Sequence, residues 1–124
     1  FDEERVSHQL SLHTIRNLMN DGAILHVNSD TLTTAFYLLR SVKKATFEES
    51  LYALRETTKI CELVSIELED VHKALSLCEN NSTKCKDYED TLQYVCAKKV
   101  NANLIVTNDK GFVGLDIAVK RTKE

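Results

Sequence analysis

The sequence predicts an α/β fold with a mainly parallel central sheet and helices on both faces, a three-layer α/β/α arrangement. Short apolar runs alternate along the chain with longer segments of helical period, the order expected of βαβ units. The runs at residues 23–27 and 104–106 are typical of strands buried on both faces. The 124 residues, 43% of them hydrophobic and 28% charged, suit one globular domain over residues 1–124.

The first part of the chain predicts two helices on either side of a strand. Apolar side chains recur with helical period over residues 3–20, and Gly22 follows as a typical helix end. The strand at 23–27 comes next. The polar residues 28–30 offer side chains that can cap a second helix, which we expect to fray near Lys44.

A third helix is predicted from a capping signal. Thr46 with Glu49 three residues later fits a capping box, and the apolar pattern continues to Thr58. A short strand at 61–65 and a helix at 67–80 follow. Aromatic side chains recur among the aliphatic positions of the two middle helices and are predicted to belong to the core: Phe36, Tyr37 and Tyr52.

The last part of the chain predicts the edge at which chemistry would occur. Residues 87–100 form the clearest amphipathic helix, and the strand at 104–106 ends in the polar residues 107–109. Ligands of parallel sheets bind beyond the carboxyl ends of the strands, so we expect the active edge at this strand end. The pattern of residues 113–119 fits either a strand or a helical turn.

Composition excludes several other classes of protein. The net charge of −3 is not the basic balance usual for a sequence-specific DNA-binding protein. The four cysteines lack the C-x-x-C spacing of a zinc site, and no apolar run reaches the roughly 20 residues that span a bilayer. No signal peptide is visible, so we expect a cytoplasmic protein. The acidic balance does not exclude a nuclease, because basic residues can be local, and two small clusters are present: Arg40, Lys43 and Lys44, and Lys84 and Lys86. The alternative for both clusters is that they are solvated surface.

Acidic residues are grouped where the predicted helix starts and where the predicted strand ends. Asp87 and Asp90 are three residues apart at the helix start, and Asp109 follows the strand at 104–106. A βαβ connection can bring these two points to one rim of the sheet. Carboxylates gathered there repel one another unless a cation lies between them, and Mg²⁺ or Mn²⁺ suits oxygen ligands. The alternative is that the helix-start acids only stabilise the helix dipole.

This C-terminal region resembles the PIN-domain family, and in particular its VapC-like toxin ribonucleases. The family pattern is an Asp at a helix start, an alanine, and a strand ending in Thr-x-Asp or Thr-x-Asn before a phenylalanine. The corresponding residues are Asp90, Ala97, Thr107, Asp109 and Phe112. The helix–glycine–strand–helix order upstream is also similar to the family, so the resemblance covers nearly the whole chain.

The resemblance implies an endoribonuclease that hydrolyses RNA phosphodiester bonds with Mg²⁺ or Mn²⁺. Asp90 and Asp109 are the implied catalytic metal ligands, and Asp87 is an auxiliary one. Thr107 and Asn108 would orient the ligands. Single-stranded RNA, a homodimer and an antitoxin protein are the implied substrate and partners, because such toxins are usually dimers neutralised by a second protein.

Two features depart from the family pattern. The family begins with a strand that carries an Asp, and we expect such a strand to precede Phe1. The family's Glu on the helix after the second strand corresponds to Thr34, with Asp30 nearby; Thr34 would then be an outer residue of the site. Arg40 and Lys43 are the candidate RNA contacts.

Two alternative functions remain open from the sequence. A degenerate PIN-like domain would bind RNA or a protein partner without cleavage, and Thr34 in place of the family's Glu favours this. An unrelated α/β domain would share only the pattern, with its acidic residues serving as helix-capping charge.

Overall fold

The computed structural model of the protein describes residue 17, residues 19–107 and residues 111–120. The chain divides into two compact units. Ile24–Glu67 form one, called the middle unit below; Phe1–Ala23 and Leu68–Glu124 together form the other, the terminal unit. That residues 1–124 form a single domain stays a prediction, because the division into compact units does not test it.

The middle unit is a strand–helix–helix–strand segment. Its elements in chain order are β1 His26–Asn28, α1 Ser29–Ser41, α2 Phe47–Ile60 and β2 Glu62–Val64. The strands pair in parallel, with Val27 opposite Leu63. The strand predicted at 23–27 lies farther along the chain, because the ladder starts only where the Glu62 N–H donates to the Leu25 carbonyl at 2.8 Å.

Both helices of the middle unit begin at predicted caps. Asn28 Oδ1 accepts from the Thr31 N–H at 2.8 Å, which satisfies one of the unpaired donors of the α1 first turn. Thr46 and Glu49 form the predicted capping box. The Glu49 N–H donates to the Thr46 hydroxyl at 3.0 Å, and the Thr46 N–H donates to the Glu49 carboxylate at 2.8 Å. Hydrogen bonds to the Glu49 carboxylate, from the Thr46 N–H first and from the Thr46 hydroxyl second, lower the pKa of Glu49.

The prediction that the aromatic residues of these helices belong to the core is wrong for two of them. Tyr37 is 64% exposed and Tyr52 is 66% exposed. Phe36 is half-buried and meets Phe47 edge to face, with ring centroids 6.0 Å apart. When two short helices pack against each other, each one buries only the face that it turns towards its neighbour. Apolar residues outside that face therefore remain on the surface.

The terminal unit contains the core of the described chain. Its elements are α3 Leu68–Glu79, α4 Tyr88–Lys99, β3 Leu104–Val106 and β4 Ala118–Lys120. β3 and β4 pair in parallel, with Ile105 opposite Val119. The segment 113–119, for which the sequence allowed either a strand or a helical turn, therefore ends in a strand. Most of the buried apolar side chains belong to this unit: Ala74, Cys85, Leu92, Tyr94, Val95, Cys96, Ile105, Phe112 and Ile117.

A sharp corner at Gly114 leads into β4. Gly114 is buried, and its carbonyl accepts from the Ile117 N–H at 2.9 Å. A Cβ at this position would lie 2.6 Å from the Ile117 carbonyl oxygen and would overlap the Val119 side chain. The corner therefore requires a residue without a side chain.

The α/β class is confirmed, while the three-layer arrangement stays a prediction, since the strands that the structure describes form two parallel pairs. The helix predicted at 3–20 falls almost wholly outside the described residues. Its end is confirmed at Gly22, which has a φ of 84° and donates its N–H to the Met19 carbonyl at 3.0 Å. Among the described helices, none combines the length and the apolar composition needed to cross a membrane.

Candidate functional site

The start of α4 fixes two of the predicted acidic residues. Asp87 is the N-cap residue in extended conformation, with φ −116° and ψ 115°, and its Oδ1 accepts from the Asp90 N–H at 3.0 Å. The Asp87 carbonyl accepts from both the N–H and the hydroxyl of buried Thr91, at 3.0 and 2.7 Å. Asp87 is therefore held through both its side chain and its backbone carbonyl. Asp90 follows in the first turn of α4 and is half-buried.

Asp87 and Asp90 line the same small hollow at the surface of the terminal unit. This feature, called the α4 hollow, has a volume of about 190 Å³. Since liquid water takes up about 30 Å³ per molecule, the α4 hollow has room for several waters or a partly hydrated ion. Its lining combines acidic, basic and uncharged residues: Lys84, Cys85, Lys86, Asp87, Asp90, Thr91, Gly111 and Val113.

The predicted strand end is described up to Thr107. Its N–H donates to the Lys120 carbonyl at 3.0 Å, which extends the β3–β4 pairing by one residue. Asn108 and Asp109 lie outside the described residues. The chain is described again from Gly111, which lines the α4 hollow and follows Asp109 by two residues in the sequence.

A charged clamp ties the segment after Gly111 to α4. The Tyr94 hydroxyl donates to Asp116 Oδ1 at 2.5 Å, and Lys98 Nζ lies 2.7 Å from Oδ2 of the same carboxylate. Burial, followed by the bond to Asp116, raises the pKa of Tyr94 to about 12. The bonds from Lys98 and then Tyr94 lower the pKa of Asp116. The clamp thus joins the approach to β4 to α4 one helical turn beyond Asp90.

A second ion pair joins α4 to α3. Asp70 is 4% exposed, and its Oδ2 lies 2.8 Å from Lys99 Nζ. A buried carboxylate needs such a partner, because removing its charge from water without compensation costs several kcal/mol. A second contact joins the end of α3 to the start of α4, where the Cys78 thiol lies 3.5 Å from the Thr91 hydroxyl. The α4 helix that carries Asp90 is therefore braced from two sides.

Comparison with known proteins assigns this arrangement to a family. A family model described as PIN domain matches residues 4–111, and this span includes the helix start at Asp87 and the strand end at Thr107. The chain belongs to the PIN-domain family. It is 40% identical over all its 124 residues to Ribonuclease VapC1 of Aquifex aeolicus (strain VF5), and the match covers 83% of that protein. No solved structure matches the chain significantly.

The structure tests the metal site expected of a PIN domain only in part. Among the residues that it describes, no group of three or more His, Cys, Asp or Glu side chains is placed to hold an ion. Asp87 and Asp90 nevertheless share the α4 hollow, and Asp109 falls in the gap before Gly111. Mg²⁺ is usually bound by one or two carboxylates and several waters, so the two acids that line the α4 hollow fit such an ion.

Three further predicted site residues belong to the middle unit. Thr34 is half-buried on α1. The Arg40 guanidinium donates to the Ala45 carbonyl at 3.1 Å, so it helps to close the C-terminal end of α1. Lys43 is exposed just beyond that helix. The roles predicted for these residues in the PIN site stay predictions.

No sequence pattern indicated the residues that brace α4. Tyr94 and Asp116 are 22 positions apart, and Asp70 and Lys99 are 29 positions apart. No local spacing rule pairs residues at such distances. The basic pair Lys84 and Lys86 was visible in the sequence and was more simply explained as solvated surface, whereas both residues line the α4 hollow.

Proposed function

We propose that this PIN-domain protein is an endoribonuclease that uses Mg²⁺ or Mn²⁺ to hydrolyse phosphodiester bonds of single-stranded RNA. The observation that carries the proposal is the α4 hollow, which is lined by Asp87, Asp90 and Gly111, the last of which follows Asp109 by two residues in the sequence. The relative with 40% identity is named as a ribonuclease, which supports the same chemistry.

The proposed ligands are Asp90 and Asp109, with Asp87 as an auxiliary ligand. Asp109 precedes Gly111 by two residues, and two residues of extended chain span at most about 7 Å. A carboxylate on that segment is therefore within reach of the α4 hollow. A bound divalent ion would supply Lewis-acid activation of water and would neutralise charge on the phosphate.

The remaining residues of the proposed site position these carboxylates. Asp87 Oδ1 accepts a hydrogen bond from the Asp90 N–H and so holds the first turn of α4, and the second carboxylate oxygen is the proposed auxiliary ligand atom. Thr107 and Asn108 would orient the strand-end ligand, since polar neighbours fix the direction of metal-binding groups. Thr34 would be an outer residue of the site. Arg40 and Lys43 are the proposed RNA contacts of the middle unit.

The proposed biological role is that of the toxin in a toxin–antitoxin pair, acting in the cytoplasm as a homodimer that an antitoxin protein neutralises. The Aquifex relative is named VapC1, and the sequence resembles the VapC-like toxins, which supports the toxin part of this role. The exposed aromatic rings of Tyr37 and Tyr52 on the middle unit also support a protein partner, because exposed apolar surface of this kind marks interaction sites.

Cleavage of a labelled single-stranded RNA with and without Mn²⁺ tests the proposal. Asp90→Asn and Asp109→Asn should each lower the cleavage rate by a larger factor than the roughly 10–100-fold that follows removal of a residue hydrogen-bonded to a metal ligand. Glu89→Gln is the matched control, because Glu89 is an exposed acid in the same first turn of α4 and does not line the α4 hollow. Equal activity in all three variants would exclude these aspartates from the reaction.

A second candidate function is RNA or protein binding without cleavage. Thr34, at the position where PIN domains usually carry a Glu, favours it because the site would then have one ligand fewer. The same experiment separates the two functions. A protein that binds the RNA but leaves it intact at saturating Mn²⁺ would be the binding domain.

A further inference from the structure

The segment that precedes α4 presents two lysines on one side. Lys84 and Lys86 are exposed, and Cys85 between them is 3% exposed. Burial of the Cys85 side chain holds this stretch of backbone against the terminal unit, while the lysine on either side of it stays at the surface. Asp87, the N-cap residue of α4, follows Lys86 directly in the sequence. The buried cysteine thus anchors the two ammonium groups beside the helix start.

These lysines differ from the lysines of the helices in their partners. Four helical lysines each form an ion pair, with Nζ 2.6–3.2 Å from a carboxylate oxygen: Lys59 with Glu56, Lys73 with Glu69, Lys98 with Asp116, and Lys99 with Asp70. Lys84 and Lys86 form no ion pair with any carboxylate in the part of the chain that the structure describes. Both nevertheless line the α4 hollow together with Asp87 and Asp90.

The α4 hollow is therefore lined by two acidic and two basic residues, and the described part of the chain shows no ion pair between them. Carboxylates alone would repel an RNA strand, whose backbone carries one negative charge per nucleotide. Ammonium groups beside them lower that repulsion and attract the backbone. A flexible lysine is suited to a phosphate as a point charge, without the fixed geometry that arginine imposes.

We propose that Lys84 and Lys86 bind backbone phosphates of the RNA next to the bond that is cut, and that the α4 hollow is the main phosphate-binding site of the protein. The proposal rests on the ribonuclease function proposed above and names where its substrate binds. It also differs from the sequence-based choice of RNA contacts, since the Arg40 guanidinium is bonded to the Ala45 carbonyl.

Binding of a fluorescently labelled single-stranded RNA, followed by anisotropy in EDTA from 50 to 200 mM KCl, tests the proposal without requiring cleavage. Each phosphate contact to a single strand contributes about 0.7 to the slope of log affinity against log salt. The double variant Lys84→Gln/Lys86→Gln should therefore lower the magnitude of that slope by about 1.4. The affinity advantage of the unchanged protein over this variant should shrink about sevenfold over the same salt range.

Two matched variants make the result specific. Lys59→Gln/Lys73→Gln removes the same charge from two exposed helical positions outside the α4 hollow and should leave the slope unchanged. Lys84→Arg/Lys86→Arg keeps the charge and should restore the slope. Equal slopes for the two glutamine variants, or RNA binding that is absent in the unchanged protein, would overturn the proposal.

The outcome is independent of whether the protein cuts RNA. A slope change confined to the Lys84 and Lys86 variant, in a protein that leaves RNA intact with Mn²⁺, would retain the phosphate site and reject the nuclease. Mn²⁺-dependent cleavage with a KM unaffected by the glutamine substitutions would retain the nuclease and reject the phosphate site. Loss of binding to an acidic protein partner with unchanged RNA binding would also reject it.

Discussion

Replacing Lys99 by methionine should destabilise the protein by about 2 kcal/mol, because the substitution leaves the Asp70 carboxylate buried without its cation. The Asp70 side chain is 6% exposed and that of Lys99 is 30% exposed. Breaking a fully buried ion pair costs about 3–5 kcal/mol, and the partial exposure of Lys99 lets water offset part of that loss. Methionine keeps most of the apolar stem of lysine, so the change reports the charge rather than the packing.

The assay is urea unfolding followed by circular dichroism, with Lys73→Met as the control. Lys73 pairs with Glu69 on α3 at 3.2 Å, but their side chains are 60% and 76% exposed. Loss of such a surface pair should cost only about 0.3–0.5 kcal/mol. Adding Asp70→Asn to Lys99→Met should recover part of the stability, because a neutral amide is less costly to bury than a carboxylate that has lost the Lys99 ammonium. Equal destabilisation by the two lysine variants would refute the reasoning.

Three further predictions concern the caps and the clamp. Titration of tyrosinate absorbance should show one of the four tyrosines ionising near pH 12, and Tyr94→Phe should remove that step; because the folded pKa is raised, the stabilisation by Tyr94 is complete below pH 10, its ordinary value, and is lost as the pH rises towards about 12. Thr46→Ala should cost about 1 kcal/mol in urea unfolding, since it removes the hydroxyl of the capping box, whereas Thr46→Ser should cost little. Asp87→Asn should keep the α4 cap and the unfolding free energy but should raise the Mn²⁺ concentration needed for half-maximal cleavage; an unchanged Mn²⁺ requirement would show that Asp87 only caps the helix.

Local signals in the sequence were sufficient for the helices. The capping box of Thr46 and Glu49 lies within one turn, and it forms as predicted. Asp87 at the start of α4 likewise caps the helix whose acidic first turn the sequence showed. Such features are predictable because the donor, the acceptor and the chain between them are all specified by four consecutive residues.

Features that depend on distant partners were not predictable. The bonds of Asp116 to Tyr94 and of Lys99 to Asp70 join residues that share no periodic pattern. The exposure of Tyr37 and Tyr52 also depends on tertiary packing, because an apolar period shows which residues share a face but not whether another element covers it. For the candidate site, the helix-start acids could be named from the sequence, while the contribution of Lys84 and Lys86 required their place in the α4 hollow.

The glycine corner before β4 restricts how the length of this part of the chain can vary among related sequences. Val119 is half-buried, while its neighbours Ala118 and Lys120 are exposed. Inserting or deleting one residue after Gly114 would shift the strand by half of its two-residue repeat and exchange these sides, pointing an ammonium group inward. Two-residue changes preserve the sides, so natural length variation between Gly114 and β4 should occur in even steps.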